Sequence, residues 1–150
     1  MRRLRRFRNL TAAERSLLVR AFPLVAAVRL CLWVFPFRTL YRRWFSTLPQ
    51  LARPGRQGGP SPERIVWLVA VASRCVPGAH CLPRAVTAQL LLAREGHLAE
   101  MRIGVRKQGD GLDAHAWLEY HGAPLWESDA QLNSFVPFDA AITSPRDAPK

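Results

Sequence analysis

Cys81 and His115 are the two residues whose types and surroundings could carry out covalent chemistry. Cys81 opens the segment Cys81-Leu82-Pro83-Arg84-Ala85, and Pro83 is placed for the first turn of a helix. At a helix start, unpaired backbone N–H groups and the positive end of the helix dipole favour negative charge on sulfur, the form in which a thiol attacks a carbonyl. The first amide of such a helix can also donate to the oxyanion that the attack creates. A cysteine taken alone is more often a small buried hydrophobe, and Cys31, on an apolar helix, and Cys75 read that way. His115 separates Cys81 from these two. It lies in Leu112-Asp113-Ala114-His115-Ala116-Trp117-Leu118-Glu119-Tyr120, where strand alternation sets Asp113, His115, Trp117 and Glu119 on one face. Ala114, Ala116, Leu118 and Tyr120 form the other face and suit packing, which leaves His115 and Trp117 to line a cleft.

A histidine base needs an acceptor to orient it, and the next predicted strand supplies Glu127 and Asp129. Turn geometry discriminates between them. A two-residue turn at His121-Gly122 would set His115 opposite Ser128, with both acids facing away. A three-residue loop closed by Gly122 as the left-handed residue of a bulge sets His115 opposite Glu127. Glu127 is therefore the expected third member, conditional on that loop, and Asp129 is the reserve. His80 adjoins Cys81 but is expected to point elsewhere, while His97 follows a stop glycine and His121 sits in a turn. No Cys/His spacing suits a metal, so no metal site is expected.

The elements that must position these groups follow from periodicity. Thr11 and Glu14 have the spacing of a capping box, and the apolar run to Trp44, punctuated by Pro23 and Pro36, predicts two amphipathic helices. Arg20 and Arg29 interrupt that run, so no uncharged stretch reaches the ~20 residues a membrane span requires, and helices packed on the domain or a partner are expected rather than a membrane-surface helix. Residues 1–53 form this basic helical region, the Pro/Gly-rich stretch 54–62 reads as a linker, and 63–150 is the expected catalytic domain. Ser61 and Pro62 open a helix to about Ser73, with Ile65, Val66, Leu68, Val69 and Ala72 on its apolar side. The helix from Cys81 runs to Arg94 before Gly96, with Leu82, Val86, Leu90 and Ala93 as its buried stripe. Met101, Ile103 and Val105 alternate with Arg102, Gly104 and Arg106 in a strand. Gln108-Gly109-Asp110-Gly111 turns the chain into a second strand from about Leu112 to Tyr120, and a third is predicted from Ala123 to Glu127. The order predicts an α+β fold in which the helix carrying the cysteine packs on an antiparallel sheet, preceded by N-terminal helices. A cysteine at a helix start followed by a histidine on a later strand is the chain order of papain-like and transglutaminase-like sites.

At 150 residues the chain has the length of one domain and can bury roughly 70% of its unfolded surface. Three cysteines, with no CxxC pair, argue for reduced thiols and a cytoplasmic setting rather than a disulfide framework. Of the net charge of +11, the first fifty residues contribute most: they hold eleven arginines and one acid, Glu14. Such a surface attracts anionic lipid, an acidic peptide or nucleic acid, although no nucleic-acid recognition motif accompanies it.

Three blocks together resemble the lasso-peptide maturation proteases, the B proteins of lasso clusters, which are transglutaminase-like cysteine peptidases of the microcin-processing type. They are Cys81-Leu82-Pro83-Arg84-Ala85 with Gln89-Leu90-Leu91-Leu92, then Arg102-Ile103-Gly104-Val105-Arg106-Lys107, then Ala114-His115-Ala116-Trp117-Leu118-Glu119. The resemblance implies a Cys-His-acid triad that hydrolyses the leader–core bond of a precursor peptide; the peptidase chemistry itself calls for no cofactor, and a nucleotide requirement is left open. It carries the nucleophile to Cys81, the histidine to His115 and the acid, twelve positions later, to Glu127, where the family has Asp. A chain this short resembles the split form, which implies a separate leader-recognition protein and an ATP-dependent cyclase as partners. Two other readings stand beside it: an acyltransferase on the same fold, and a non-catalytic adaptor that binds a peptide or, weakly, a membrane.

Overall fold

The computed structural model describes residues 10–51, 59–127 and 129–137. Residues 54–58 of the predicted linker, with residues 52–53 before it, lie outside the described residues. Helix α1 spans Ala12–Val34, and its N-cap Thr11 and Glu14 form the predicted capping box. Phe35 is extended, as the residue before a proline prefers, and α2 follows over Phe37–Leu51. Helix α3, Pro62–Ser73, starts where expected, with the Ser61 side chain accepting from the Arg64 amide. Helix α4, Cys81–Arg94, ends before Gly96, which takes a left-handed φ of 88°.

Strands β1 (Glu100–Gln108) and β2 (Gly111–Tyr120) pair antiparallel, with Gly104 opposite His115 and Arg102 opposite Trp117. The third strand is much shorter than predicted: β3 covers only Ala123–Pro124, and the chain then bends through Leu125 to Glu127. Asp129–Leu132 forms a short helical turn, α5, and β4, Val136–Pro137, pairs with β1 at Gly104 and Val105. The sheet order is β3-β2-β1-β4.

One hydrophobic core joins the N-terminal helices to the rest. Leu17, Ala21, Val25 and Val28 of α1 and Tyr41 of α2 share it with Ile65, Leu68 and Val69 of α3. Val86, Leu91 and Leu92 of α4 and Met101, Ala116 and Leu118 of the sheet complete it. Helix α4 is the centre of this arrangement, with α1, α2 and α3 against it on one side and β1 and β2 on the other. Its burial is correspondingly wider than the predicted stripe. Leu82 and Leu90 are only half-buried, whereas Ala85, Ala88, Leu91 and Leu92 are buried, because two layers cover a helix for which one was expected. Two polar groups within it are satisfied locally: Thr87 Oγ1 donates to the Pro83 carbonyl at 2.8 Å and Gln89 Nε2 to Ala99 at 3.0 Å.

The docking of α1 on α3 includes one ion pair, Glu14 with Arg64, and the Arg64 guanidinium also lies over the Trp67 ring. Burial works against the Glu14 charge, but hydrogen bonds from Arg64 and Thr11, with the Arg64 charge, outweigh it and hold the carboxyl below its usual range. A carboxyl depressed in the folded state contributes stability that is full above its unfolded pKa, about 4.3, and is lost as pH falls through the lower folded value. Glu14→Gln is therefore expected to lower the urea midpoint at neutral pH, and the gap between the two proteins should close as the pH drops below about 4.3. Parallel urea titrations across that range check it.

Candidate active site

Helix α4 delivers Cys81 to an unpaired stretch of sheet edge. Because β3 pairs only with Glu119 and Tyr120, the outer edge of β2 nearer its start has no partner strand among the described residues. There the Cys81 thiol meets the Ala114 carbonyl, with Sγ 3.9 Å from the oxygen, next in sequence to His115. His80 is the N-cap of α4 and makes no side-chain cap hydrogen bond, and Pro83 has no N–H. The Cys81 and Leu82 amides at the helix start thus lack intrahelical partners, as donors for an oxyanion must.

His115 is half-buried, with Nε2 3.2 Å from Glu127 Oε1. Its ring lies 5.4 Å from that of Phe135 and stacks at 6.2 Å on Trp117, so aromatic neighbours limit its rotation. With Nε2 committed to Glu127, Nδ1 is the nitrogen left to exchange a proton with a thiol. The Glu127 side chain is only 12% exposed and also receives the Arg84 guanidinium, with Nη2 at 3.4 Å from the same oxygen. Arg84 stands one helical turn beyond Cys81, so the helix that carries the cysteine also touches the Glu127 carboxylate.

The register by which Glu127 arrives is not the predicted one. Tyr120 pairs with Ala123 and Glu119 with Pro124, which is a two-residue turn, with positive φ at both His121 (51°) and Gly122 (78°). On that register a continuous strand would have carried Glu127 away from His115. The Leu125 amide still donates to Leu118, but the chain then leaves the sheet, and the bend turns Glu127 back onto the histidine. Asp129, the reserve, begins α5, and its side chain lies outside the described residues.

Other placements also differ from expectation. His80, expected to point elsewhere, lines the same open groove as Cys81 and His115, a space of about 820 Å³ that Arg74, Arg84 and Trp126 also border. Cys75, read as a buried hydrophobe, is exposed, because it falls in the loop after α3 rather than in a helix; Cys31 is half-buried. Trp117, expected to line the cleft, is buried beneath Phe135 and over Gly104, where an added Cβ would come within 3.0 Å of either side chain. Its Nε1 donates to Glu119 at 3.1 Å. Asp113 is committed to Arg106, whose Nε lies 2.9 Å away. His97 Nδ1 lies 3.2 Å from the Tyr120 hydroxyl. A second cleft, of about 380 Å³, reaches His115 and Glu127 from the side of Phe135 and Arg106, so His115 stands where two clefts meet. Among the described residues no group of three or more His, Cys, Asp or Glu is placed to hold a metal ion.

Arg84 and Phe135 were not singled out from the sequence. Arg84 carried a usable signal, since it stands three residues after a helix-start cysteine and must share that helix face. Phe135 carried none, because its contact depends on β4 returning beside β1.

A cysteine at a helix start, a histidine on the following sheet and a carboxylate on the histidine's far nitrogen have the form of a thiol-based acyl-transfer site. The sequence model of the transglutaminase-like superfamily matches residues 24–139, and the chain belongs to that superfamily, whose enzymes are cysteine peptidases and transglutaminases. The matched stretch begins inside α1. No curated protein and no solved structure matches the chain.

Exposed Cys75 provides an internal reference for Cys81. With iodoacetamide at neutral pH, Cys81 is expected to alkylate faster than Cys75 despite its lower exposure, and His115→Ala should bring it down to the Cys75 rate or below. Peptide mass spectrometry of a time course reads both rates.

Proposed function

We propose that the chain is a cysteine peptidase that cuts the bond between leader and core of a lasso-peptide precursor. In this reading Cys81 is the nucleophile, His115 the base and then the acid, and Glu127 the carboxylate that orients His115. The observation that carries it is the 3.2 Å contact of His115 Nε2 with Glu127, beside a helix-start cysteine whose Sγ lies at the Ala114 carbonyl.

The chemistry follows from the roles. His115 takes the thiol proton and the sulfur bonds to the scissile carbonyl carbon, while the helix-start amide of Cys81 donates to the oxyanion. Collapse breaks the C–N bond, His115 gives its proton to the departing amine, and the core leaves with a free amino group. The leader is then held as a thioester on Cys81. A water loses a proton to His115 and attacks the thioester, and the C–S bond breaks as the thiol regains its proton. Glu127 stays a carboxylate throughout and stabilises the charge His115 acquires.

The substrate class rests on the likeness of the three sequence blocks to the lasso maturation proteases. The same likeness supports a separate leader-recognition protein and an ATP-dependent cyclase as partners. A free Cys81 suits a reducing, cytoplasmic setting. The open groove favours keeping acyl transfer in view, since it would admit an amine as well as water.

Incubation of a lasso precursor with its leader-recognition protein and this chain is expected to release leader and core, and Cys81→Ala should abolish cleavage while leaving the circular dichroism unchanged. Glu127→Gln is expected to lower kcat by roughly two to four orders of magnitude, as loss of an orienting carboxylate does elsewhere. Undiminished processing by Cys81→Ala would refute the assignment. Mass spectrometry with added amines distinguishes hydrolysis from transfer, since only transfer leaves an amide on the leader.

A further inference from the structure

Helix α1 has two opposite apolar faces, and among the described residues only one of them packs into the core. Leu17, Ala21, Val25 and Val28 enter the core. On the other side Val19, Phe22, Leu30, Trp33 and Val34 face outward, with Trp33 76% and Leu30 58% exposed. From Phe22 to Phe35 every fully exposed residue is apolar. A helix at a water-facing surface ordinarily carries its charges on that side, and an apolar ridge left there marks an interaction surface.

The charge around the ridge says what could cover it. Exposed Arg15 and Arg20 lie towards the start of α1, and exposed Arg38, Arg42 and Arg43 follow its end on α2. The only acid in the first fifty residues, Glu14, is paired with Arg64. A second copy docked on the ridge would bring arginine against arginine with no carboxylate to separate them, at a cost rather than a gain. An anionic bilayer offers what both features need: hydrocarbon for the ridge and phosphate for the arginines.

We infer that the outer face of α1, from Val19 to Val34, lies on an anionic lipid surface with the arginines of α2 at the headgroups. Helix α1 is long and apolar enough to cross a membrane, but spanning would remove its inner face from the core it shares with α3 and α4. Lying on the surface keeps that core intact. It also fixes where the candidate active site sits. Arg29, on the flank of the ridge, packs against Gly78, which borders the Cys81 groove, so the bilayer would lie about one helix diameter, ~10 Å, from the groove's rim. Substrate would then be met beside the membrane. This inference does not depend on which acyl group Cys81 accepts.

Flotation of the full chain with vesicles tests it. The chain is expected to float with phosphatidylcholine vesicles containing phosphatidylglycerol, to be left behind by phosphatidylcholine alone, and to be released by high salt or alkaline carbonate. Leu30→Ser with Trp33→Ser should lower partitioning at least about tenfold, given the apolar surface each loses. Arg38→Gln with Arg42→Gln and Arg43→Gln should lower it comparably while leaving Cys81 alkylation unchanged. Equal flotation on both vesicle types, or a serine variant that floats as well as the original, would overturn the inference. Retention after carbonate would do so in favour of a span, and a dimer lost in the serine variant, with no flotation, in favour of a second copy.

Discussion

Helix α4 can present Cys81 only because it is gripped from two sides. The helical layer of α1, α2 and α3 covers one side and the β1–β2 hairpin covers the other, so the helix has little freedom to slide or turn. Its buried residues alternate small and large: Ala85 and Ala88 let neighbouring backbones approach, while Val86, Leu91 and Leu92 fill the space between layers. The N-terminal helices therefore belong to the active-site framework in a direct physical sense. Removing them would leave α3 alone on that side of the helix that carries Cys81.

The sheet supplies the second half of the constraint through what it omits. Had β3 continued to Glu127, the edge of β2 would have been closed and the carboxylate turned away from His115. The tight turn at His121-Gly122 fixes a register, the strand stops after Pro124, and the bend that follows brings Glu127 under the imidazole. Proline cannot donate to a ladder, which helps to end the pairing there. Arg84 then links the acid to α4 and closes a loop of contacts from Cys81's helix through Glu127 to His115. Phe135, brought in by β4, holds the other side of the ring.

What could be read from the sequence was local. The capping box at Thr11, the helix start at Cys81, the stop at Gly96 and the β1–β2 hairpin each depend on residues close together in the chain, and each appears as expected. The sequence points to Glu127 through a three-residue loop at Gly122 and through the family spacing, whereas the turn has two residues and a later bend brings the carboxylate to His115. Non-local features were less legible. The double covering of α4 widened its buried face beyond one stripe, the short β3 depended on where a bend would fall, and Phe135 depended on a two-residue strand far from its partner. The exposed Cys75 shows the same limit, since an apolar neighbourhood in sequence did not become burial in space.

Glu127 holds His115 by Nε2 at 3.2 Å, and on the proposed mechanism this leaves Nδ1 as the nitrogen that takes the thiol proton. Nitrogen-15 NMR of the histidine side chains, with His115 assigned from the resonances lost in His115→Ala, tests this directly. At a pH where His115 is neutral, the account predicts a proton on Nε2 in the unsubstituted protein and a marked change in that resonance on Glu127→Gln. A proton on Nδ1, indifferent to substitution at Glu127, would contradict it.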